Sequence, residues 1–310
     1  MNHEPDIVEN WDTIVVGGGP AGLACALWLA RYRRTVCIFD TGEPRNRPAW
    51  AVHGFPGLPD PPPLELRARI RQQALDAGAA YRINGVTAID GEKDAFRIAV
   101  EDGSTANARR VVLAYGLRDF LPAVAGIEAF YGHSVYHCPD CDGPSVTGQR
   151  VGVIGHDRHA AALALYLLTW AGSVTILGNG VAGDLTPAAM ETLRRHGIEI
   201  EPGRIAALNG EEGRLREVSL ETSHALQIDA IFFHLGSEPR CDFAAQLGCR
   251  TDEDGYIDVD AGQQTSTPGI YAAGDIAGHP HLAVTAAAEG VRAALAIHRS
   301  LTPDEFFVGG

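Results

Sequence analysis

The sequence predicts an α/β protein of two three-layer domains built on βαβ units, the second inserted into the first, and three observations lead there. A β-branched run, Thr13-Ile-Val-Val16, enters the glycine turn Gly17-Gly-Gly-Pro-Ala-Gly22 and then an apolar helical pattern. The plan recurs at Arg150-Val-Gly-Val-Ile154, followed by Gly155-His-Asp-Arg-His-Ala160 and a helical stretch through Ala171. Near the end, Gly255-Tyr-Ile-Asp-Val259, Gly269-Ile-Tyr-Ala-Ala273 and a helix from about Ala283 to Ser300 read as the completion of the first domain. The expected boundaries are therefore 1–118 with 242–310 for the discontinuous domain and 119–241 for the insert.

A chain of 310 residues is long enough for two cores of ordinary size. Its 36 glycines, many at expected strand ends, favour the tight turns of an α/β fold. A formal net charge of −14, from 25 basic and 39 acidic side chains, disfavours nucleic acid or an anionic membrane surface as a partner. The N-terminus, MNHEPDIVENWD, is acidic and polar, so no signal peptide is expected, and the longest apolar run, Ala160 to Trp170, is too short for a bilayer. These features predict a soluble cytoplasmic protein.

In the first βαβ unit, Gly17 allows the turn, Gly19 lets backbone approach a pyrophosphate, and Gly22 lets the helix pack close to its strand. Pro20 and Ala21 complete the turn at the helix start, where N–H groups face phosphates. The second strand, Thr35-Val-Cys-Ile-Phe39, ends at Asp40, placed to accept hydrogen bonds from an adenosine ribose. Strand, turn, helix, strand and acid agree on a dinucleotide, so both βαβ domains are expected to be Rossmann-like and nucleotide-binding.

Residues 42–63 form a loop rich in Pro, Gly and Arg that holds Arg45, Asn46 and His53. A helix over 63–77 follows, with Leu64, Ile70 and Leu75 on its apolar side and arginines outward. Phe96 to Val100 and Arg110 to Ala114 read as strands around the turn Asp102-Gly103, and Ala114-Tyr115-Gly116 closes this part. In the insert, Val174 to Leu177 is a strand and Thr186 caps a helix with Pro187 at its first position. Ile198 to His234 reads as short strands with a turn at Asn209-Gly210, and 236–240 as a linker.

Near the middle stands His137-Cys138-Pro139-Asp140-Cys141-Asp142-Gly143. Two thiols at this spacing either bond or separate, so the pair can carry two electrons. A zinc site would need further ligands at matching intervals, and Cys25, Cys37, Cys241 and Cys249 are scattered.

The glycine turn at 17–22, Cys138-Pro-Asp-Cys-Asp-Gly143 and Thr267-Pro-Gly-Ile-Tyr-Ala-Ala-Gly-Asp275, in that order over the whole chain, resemble the low-molecular-weight thioredoxin reductase family. The resemblance implies FAD on the discontinuous domain, with Gly17, Gly19, Pro20, Ala21 and Gly22 at the pyrophosphate and Asp40 at the ribose. Asp275, beside Gly274, is implied at the ribityl chain or phosphates, and Arg45, Asn46, His53, Ala114 and Gly116 around the cofactor. Leu282, Ala283 and Val284 stand where the family sets a helix N-terminus against the flavin carbonyl; His281-Leu-Ala-Val matches its usual Arg-Gln-Ala only in part. By the same resemblance Cys141 faces the flavin, Cys138 exchanges with the partner, and Asp142 is the acid/base carboxylate. His137 is a candidate proton shuttle or a locally bonded loop histidine, and a homodimer is implied; Asp140 stands where relatives commonly carry another residue, and an anion there would tend to raise the thiol pKa.

The family's NADPH site needs a second glycine fingerprint and a His-Arg-Arg for the 2′-phosphate. Here Asp157 replaces the glycine at the pyrophosphate, and Leu177 is followed by Gly178-Asn179-Gly180, without arginine or carboxylate. The reading is an FAD-dependent dithiol/disulfide oxidoreductase for which NADPH is doubtful. Its partner is a thioredoxin-like protein or small dithiol/disulfide. A ferredoxin or other non-nicotinamide electron partner is a further possibility, though the acidic balance does not favour an acidic ferredoxin unless a basic patch such as Arg31, Arg33 and Arg34 lies exposed. A conventional NADPH-dependent thioredoxin reductase, an oxygen-dependent dithiol oxidase and a non-turnover flavin redox sensor are the alternatives.

Overall fold

The computed structural model of the chain describes residues 9–278 and 280–306, so most of the acidic N-terminal stretch lies outside the described residues. The chain falls into two compact units. One takes residues up to Arg47, Phe55–Arg118 and the chain from Glu238 on; the other takes Pro48–Gly54 and Asp119–Ser237. This differs from the expected boundaries in two places: the return crossing lies at 238 rather than 242, and 48–54 packs with the insert.

In the first unit the strand Glu9–Val16 lies between Val36–Asp40 and Thr105–Leu113, parallel to both. Every residue of Val36–Asp40 is buried, as expected of a parallel strand covered on both faces. The sheet continues through Ala80–Ile83 on one side and antiparallel Phe96–Val100 and Val86–Asp90 on the other, and Ile270–Ala272 joins alongside Thr105–Leu113. The chain thus returns to complete the sheet from which it departed. The helices Pro20–Arg31 and Ala283–Ser300 pack tightly: a Cβ at Gly290 would lie 2.0 Å from the carbonyl oxygen of Ala21. Residues 255–259 form no strand: the Asp252 carboxylate accepts the N–H groups of Asp254 and Tyr256 and bends the backbone, leaving isolated bridges such as Thr251 to Ile257.

The second unit has a parallel five-stranded sheet in the order Glu199–Glu201, Ser173–Leu177, Arg150–Ile154, Ala230–Phe233, Val135–Tyr136. The helix Arg158–Leu167 ends before the expected Ala171. Thr186 does cap the helix Pro187–Arg195, its Oγ1 accepting the Ala189 N–H at 3.2 Å. Ile205–Glu211 and Arg214–Leu220 form a hairpin, but Asn209-Gly210 is not its turn. Those residues lie inside the strand at a bulge, and the chain reverses at Glu212-Gly213, both at positive φ. Among the described residues, no helix is long and apolar enough to cross a membrane.

The contact between Gly290 and Ala21 gives the first prediction. Gly290→Ala must push apart two helices, one of which begins at the glycine turn, and should destabilise the protein by about 1–3 kcal/mol. Denaturant unfolding of the variant beside wild type checks this, and an unchanged midpoint would show that the helices are not in this close contact.

Candidate active site

At the glycine turn each residue meets a different physical demand. Gly17 has φ +110°, and a Cβ there would lie 2.3 Å from the carbonyl oxygen of Ala114. At Gly22 a Cβ would lie 2.0 Å from the Gly17 carbonyl oxygen, so only glycine lets the helix sit this close to its strand. A Cβ at Gly19 would have nothing within 4 Å of it, so the side facing away from the backbone is open where a ligand's phosphates would need it. Gly19 is the N-cap of Pro20–Arg31 and no side chain caps that helix, leaving its positive end for an anion. These residues fit the pyrophosphate of FAD.

Asp40 ends its strand as expected, but it is engaged: the Arg67 guanidinium and the Tyr81 hydroxyl both donate to its Oδ2. Arg67 also donates from Nε to the Gly18 carbonyl at 2.8 Å and contacts Tyr81 Oη at 2.7 Å. Arginines on this helix were expected outward; the Arg67 side chain is instead 11% exposed and ties strand end, glycine turn and helix together. A ribose at Asp40 would therefore meet a neutralised carboxylate.

Elsewhere in this unit, Arg45 Nη1 donates to Asp275 Oδ2 at 2.7 Å and lies 3.1 Å from His281 Nδ1, which brings two predicted residues together across 230 positions. Asn46 is half-buried in the turn beside Arg45. Gly274 donates its N–H to Glu289 Oε2 at 2.7 Å, and burial pushes the Glu289 carboxyl up. Gly116, at φ +68°, accepts the Arg240 N–H. Leu282 is the N-cap of Ala283–Ser300, Ala283 and Val284 begin it, and no side chain caps it. A second positive helix end is thus available for the cofactor.

The other unit holds the sulfurs. Cys138 and Cys141 are disulfide-bonded at the ends of a single helical turn started by Pro139, and the Cys141 N–H donates to Cys138 Sγ at 3.1 Å. Asp142 follows with its side chain 15% exposed; burial pushes its carboxyl up to about 6, against the pull of His53, whose Nε2 lies 4.0 Å from Oδ1. His53 was expected around the cofactor, and the structure sets it beside Asp142. His137 Nδ1 lies 3.0 Å from Tyr131 Oη, which donates to Asp119 Oδ2 at 3.1 Å, and His137 Nε2 is 3.8 Å from the same carboxylate. Asp140 Oδ1 accepts the Tyr166 hydroxyl at 2.6 Å. Away from the pair, burial pushes the Cys25 and Cys37 thiols up, which makes them poor nucleophiles. Among the described residues there is no group of side chains suited to a metal ion.

At the second turn, Asp157 is the N-cap of Arg158–Leu167, and its Oδ1 accepts the N–H groups of His159 at 3.0 Å and Ala160 at 2.9 Å. Burial alone would raise its carboxyl; the bond from Ala160, the charge of His159 and the bond from the His159 amide outweigh this and hold it below the usual range. Arg158 turns toward His159, with Nε 3.3 Å from Nε2. Beyond Leu177 sits a guanidinium that sequence order concealed: Arg204 packs over Gly180 and lies 3.9 Å from Glu221.

The sequence signature of the pyridine nucleotide-disulphide oxidoreductase family matches residues 11–290. The thioredoxin reductase tcpT of Claviceps purpurea is 31% identical over 282 residues, 85% of this chain and 86% of its own. The thioredoxin reductase of Aquifex aeolicus is 28% identical over 97% of this chain and 96% of its own. Among solved structures, the crystal structure of HlmI is 33% identical and covers 97% of this chain and 94% of its own at a TM-score of 0.89.

The burial of Asp142 carries a pH-dependent stability prediction. A carboxyl whose folded pKa lies above its unfolded value supports folding fully below about pH 4, and that support is lost as pH rises through about 6. Asp142→Asn should match wild-type stability near pH 3 and exceed it by about 3 kcal/mol above pH 7. Denaturant midpoints from pH 3 to 8 check this; a pH-independent difference would show that Asp142 is not desolvated.

Proposed function

Since the chain belongs to the pyridine nucleotide-disulphide oxidoreductase family, as a thioredoxin-reductase-like FAD disulfide oxidoreductase, we propose that it exchanges two electrons with a partner dithiol or disulfide through Cys138 and Cys141, without the usual NADPH donor. The partner is a thioredoxin-like protein or a small dithiol/disulfide, a reading supported by the names of the relatives.

The observation that carries the proposal is the Asp157 carboxylate on the amides of His159 and Ala160. Those N–H groups are the ones a dinucleotide pyrophosphate would take at this turn. A diphosphate would have to displace the carboxylate and then remain near its charge, a repulsion of about 1–4 kcal/mol per charge pair at about 4 Å, depending on screening.

FAD, when bound, supplies a two-electron acceptor or donor for the cysteine pair. The protein's part begins with a partner thiolate attacking Cys138 Sγ. The disulfide breaks, Cys141 leaves with the electron pair, and the Asp142 carboxyl protonates it. The partner's second thiolate then attacks the mixed disulfide, so the partner leaves as a disulfide and Cys138 as a thiolate, stabilised by the Cys141 N–H. Running in reverse, the same steps reduce a partner disulfide. His137, oriented by Tyr131 and Asp119, carries the proton exchanged at Cys138 and the partner thiol.

One observation favours a conventional NADPH enzyme: Arg204, packed over Gly180, offers a guanidinium after the strand Ser173–Leu177. Anaerobic flavin absorbance decides. NADPH and NADH should leave the flavin oxidised, while dithionite and a small dithiol such as dithiothreitol should bleach it. Recovery of the dithiol-reduced protein in air identifies oxygen as the acceptor, and bleaching by reduced ferredoxin identifies a protein donor. Bleaching by NADPH within seconds would overturn the proposal in favour of the conventional enzyme.

A further inference from the structure

Residues 48–54 belong in sequence to the loop between the second strand and the helix Pro63–Asp76, yet they pack with the cysteine-bearing unit. The Trp50 N–H donates to the Gly132 carbonyl at 3.2 Å. Gly132, at φ +82°, lies so close beneath the strap that a Cβ there would come within 2.3 Å of the Pro48 carbonyl oxygen. Ala51 and Val52 are buried, and the Trp50 ring meets the His53 ring edge-on at a centroid distance of 5.3 Å. Backbone bond, close approach, buried aliphatics and ring contact leave His53 little freedom.

What the strap delivers is an imidazole 4.0 Å from Asp142, with both side chains mostly buried. That separation is too long for a direct hydrogen bond and short enough for a strong interaction of charges in a partly desolvated place. The other titratable group facing Asp142 is Tyr136, on the strand Val135–Tyr136; burial holds its phenol above the usual range, and its hydroxyl donates to the His133 carbonyl. Asp140, on the same helical turn, is bonded to Tyr166. His53 is therefore the basic side chain that the structure sets beside Asp142.

We propose that His53 is a positioning residue for thiol–disulfide exchange: carried by the strap at 48–54, it sets by its charge when Asp142 holds the proton destined for the Cys141 sulfur. This rests on the reading of Cys138 and Cys141 as an exchanging pair with Asp142 as acid/base. As the S–S bond breaks, Cys141 takes the electron pair and Asp142 gives up a proton. An imidazolium facing the resulting carboxylate favours that loss, and a neutral imidazole does not. The strap thereby couples the acid strength of Asp142 to the charge of a side chain held 4.0 Å away.

Two measurements on the full-length protein test this. Infrared difference spectra, wild type minus Asp142→Asn, follow the Asp142 carboxyl band against pH with no turnover required. Its midpoint near pH 6 should move up in both His53→Gln and His53→Phe, the latter retaining a ring against Trp50. Single-turnover oxidation of dithiothreitol at pH 6.5 should slow about tenfold in either His53 variant, and His53→Gln should cause no further loss in the Asp142→Asn background. An unmoved carboxyl midpoint, or an equal loss from His53→Gln with and without Asp142, would overturn the role of His53. If wild type does not oxidise the dithiol at all, the exchange reading itself fails, while the infrared midpoint still reports the charge coupling.

Discussion

The first-turn amides of two helices, and what is allowed to sit on them, govern much of the chemistry of this protein. A helix start leaves N–H groups without internal partners, and something must satisfy them. In the first βαβ unit Gly19 offers no side chain, and the space around it is open. In the second, Asp157 stands at the comparable turn and satisfies them with its own carboxylate. Two units of similar plan are therefore opposite in their readiness for an anion. The difference is one side chain and one charge, both inside the chain.

The cysteine pair depends on a second constraint, the burial of Asp142 beside it. A carboxyl in water is ionised at neutral pH and cannot donate a proton; desolvation brings it to about 6, where both protonation states are within reach. His137 is treated differently. It is tied to Tyr131 and Asp119, an arrangement that orients the ring. Each sulfur is thus flanked in sequence by a titratable side chain, His137 before Cys138 and Asp142 after Cys141. Asp140, the remaining nearby carboxylate, is bonded to the Tyr166 hydroxyl.

What was legible in the sequence was local. The glycine turn, the acid at the end of the next strand, the Thr186 cap and the helix from Ala283 to Ser300 each follow from neighbours a few residues apart. What was not legible depends on distant residues or on competition for a backbone group. Arg67 resembles the other arginines of its helix until Asp40 and Tyr81 surround it. Arg204 reaches Gly180 only because the next strands fold beside it. Asn209-Gly210 has the composition of a hairpin turn, but the pairing partners place it in a bulge, and Glu212-Gly213 makes the reversal. Near 255, an aspartate captures the backbone amides of Asp254 and Tyr256 in a turn.

The loop at 42–63 shows why such distinctions matter for chemistry. Its composition marks it as irregular, and nothing in its order says that Arg45 and His53, eight positions apart, serve different units. Arg45 turns to Asp275 in the first unit, while His53 turns to Asp142 beside the disulfide. The division occurs where Pro48 meets Gly132, at a backbone contact too close for any residue but glycine. A steric detail of the polypeptide thus decides which charged groups each unit receives. The Asp142 carboxylate consequently has an imidazole neighbour drawn from a loop that otherwise belongs to the first unit.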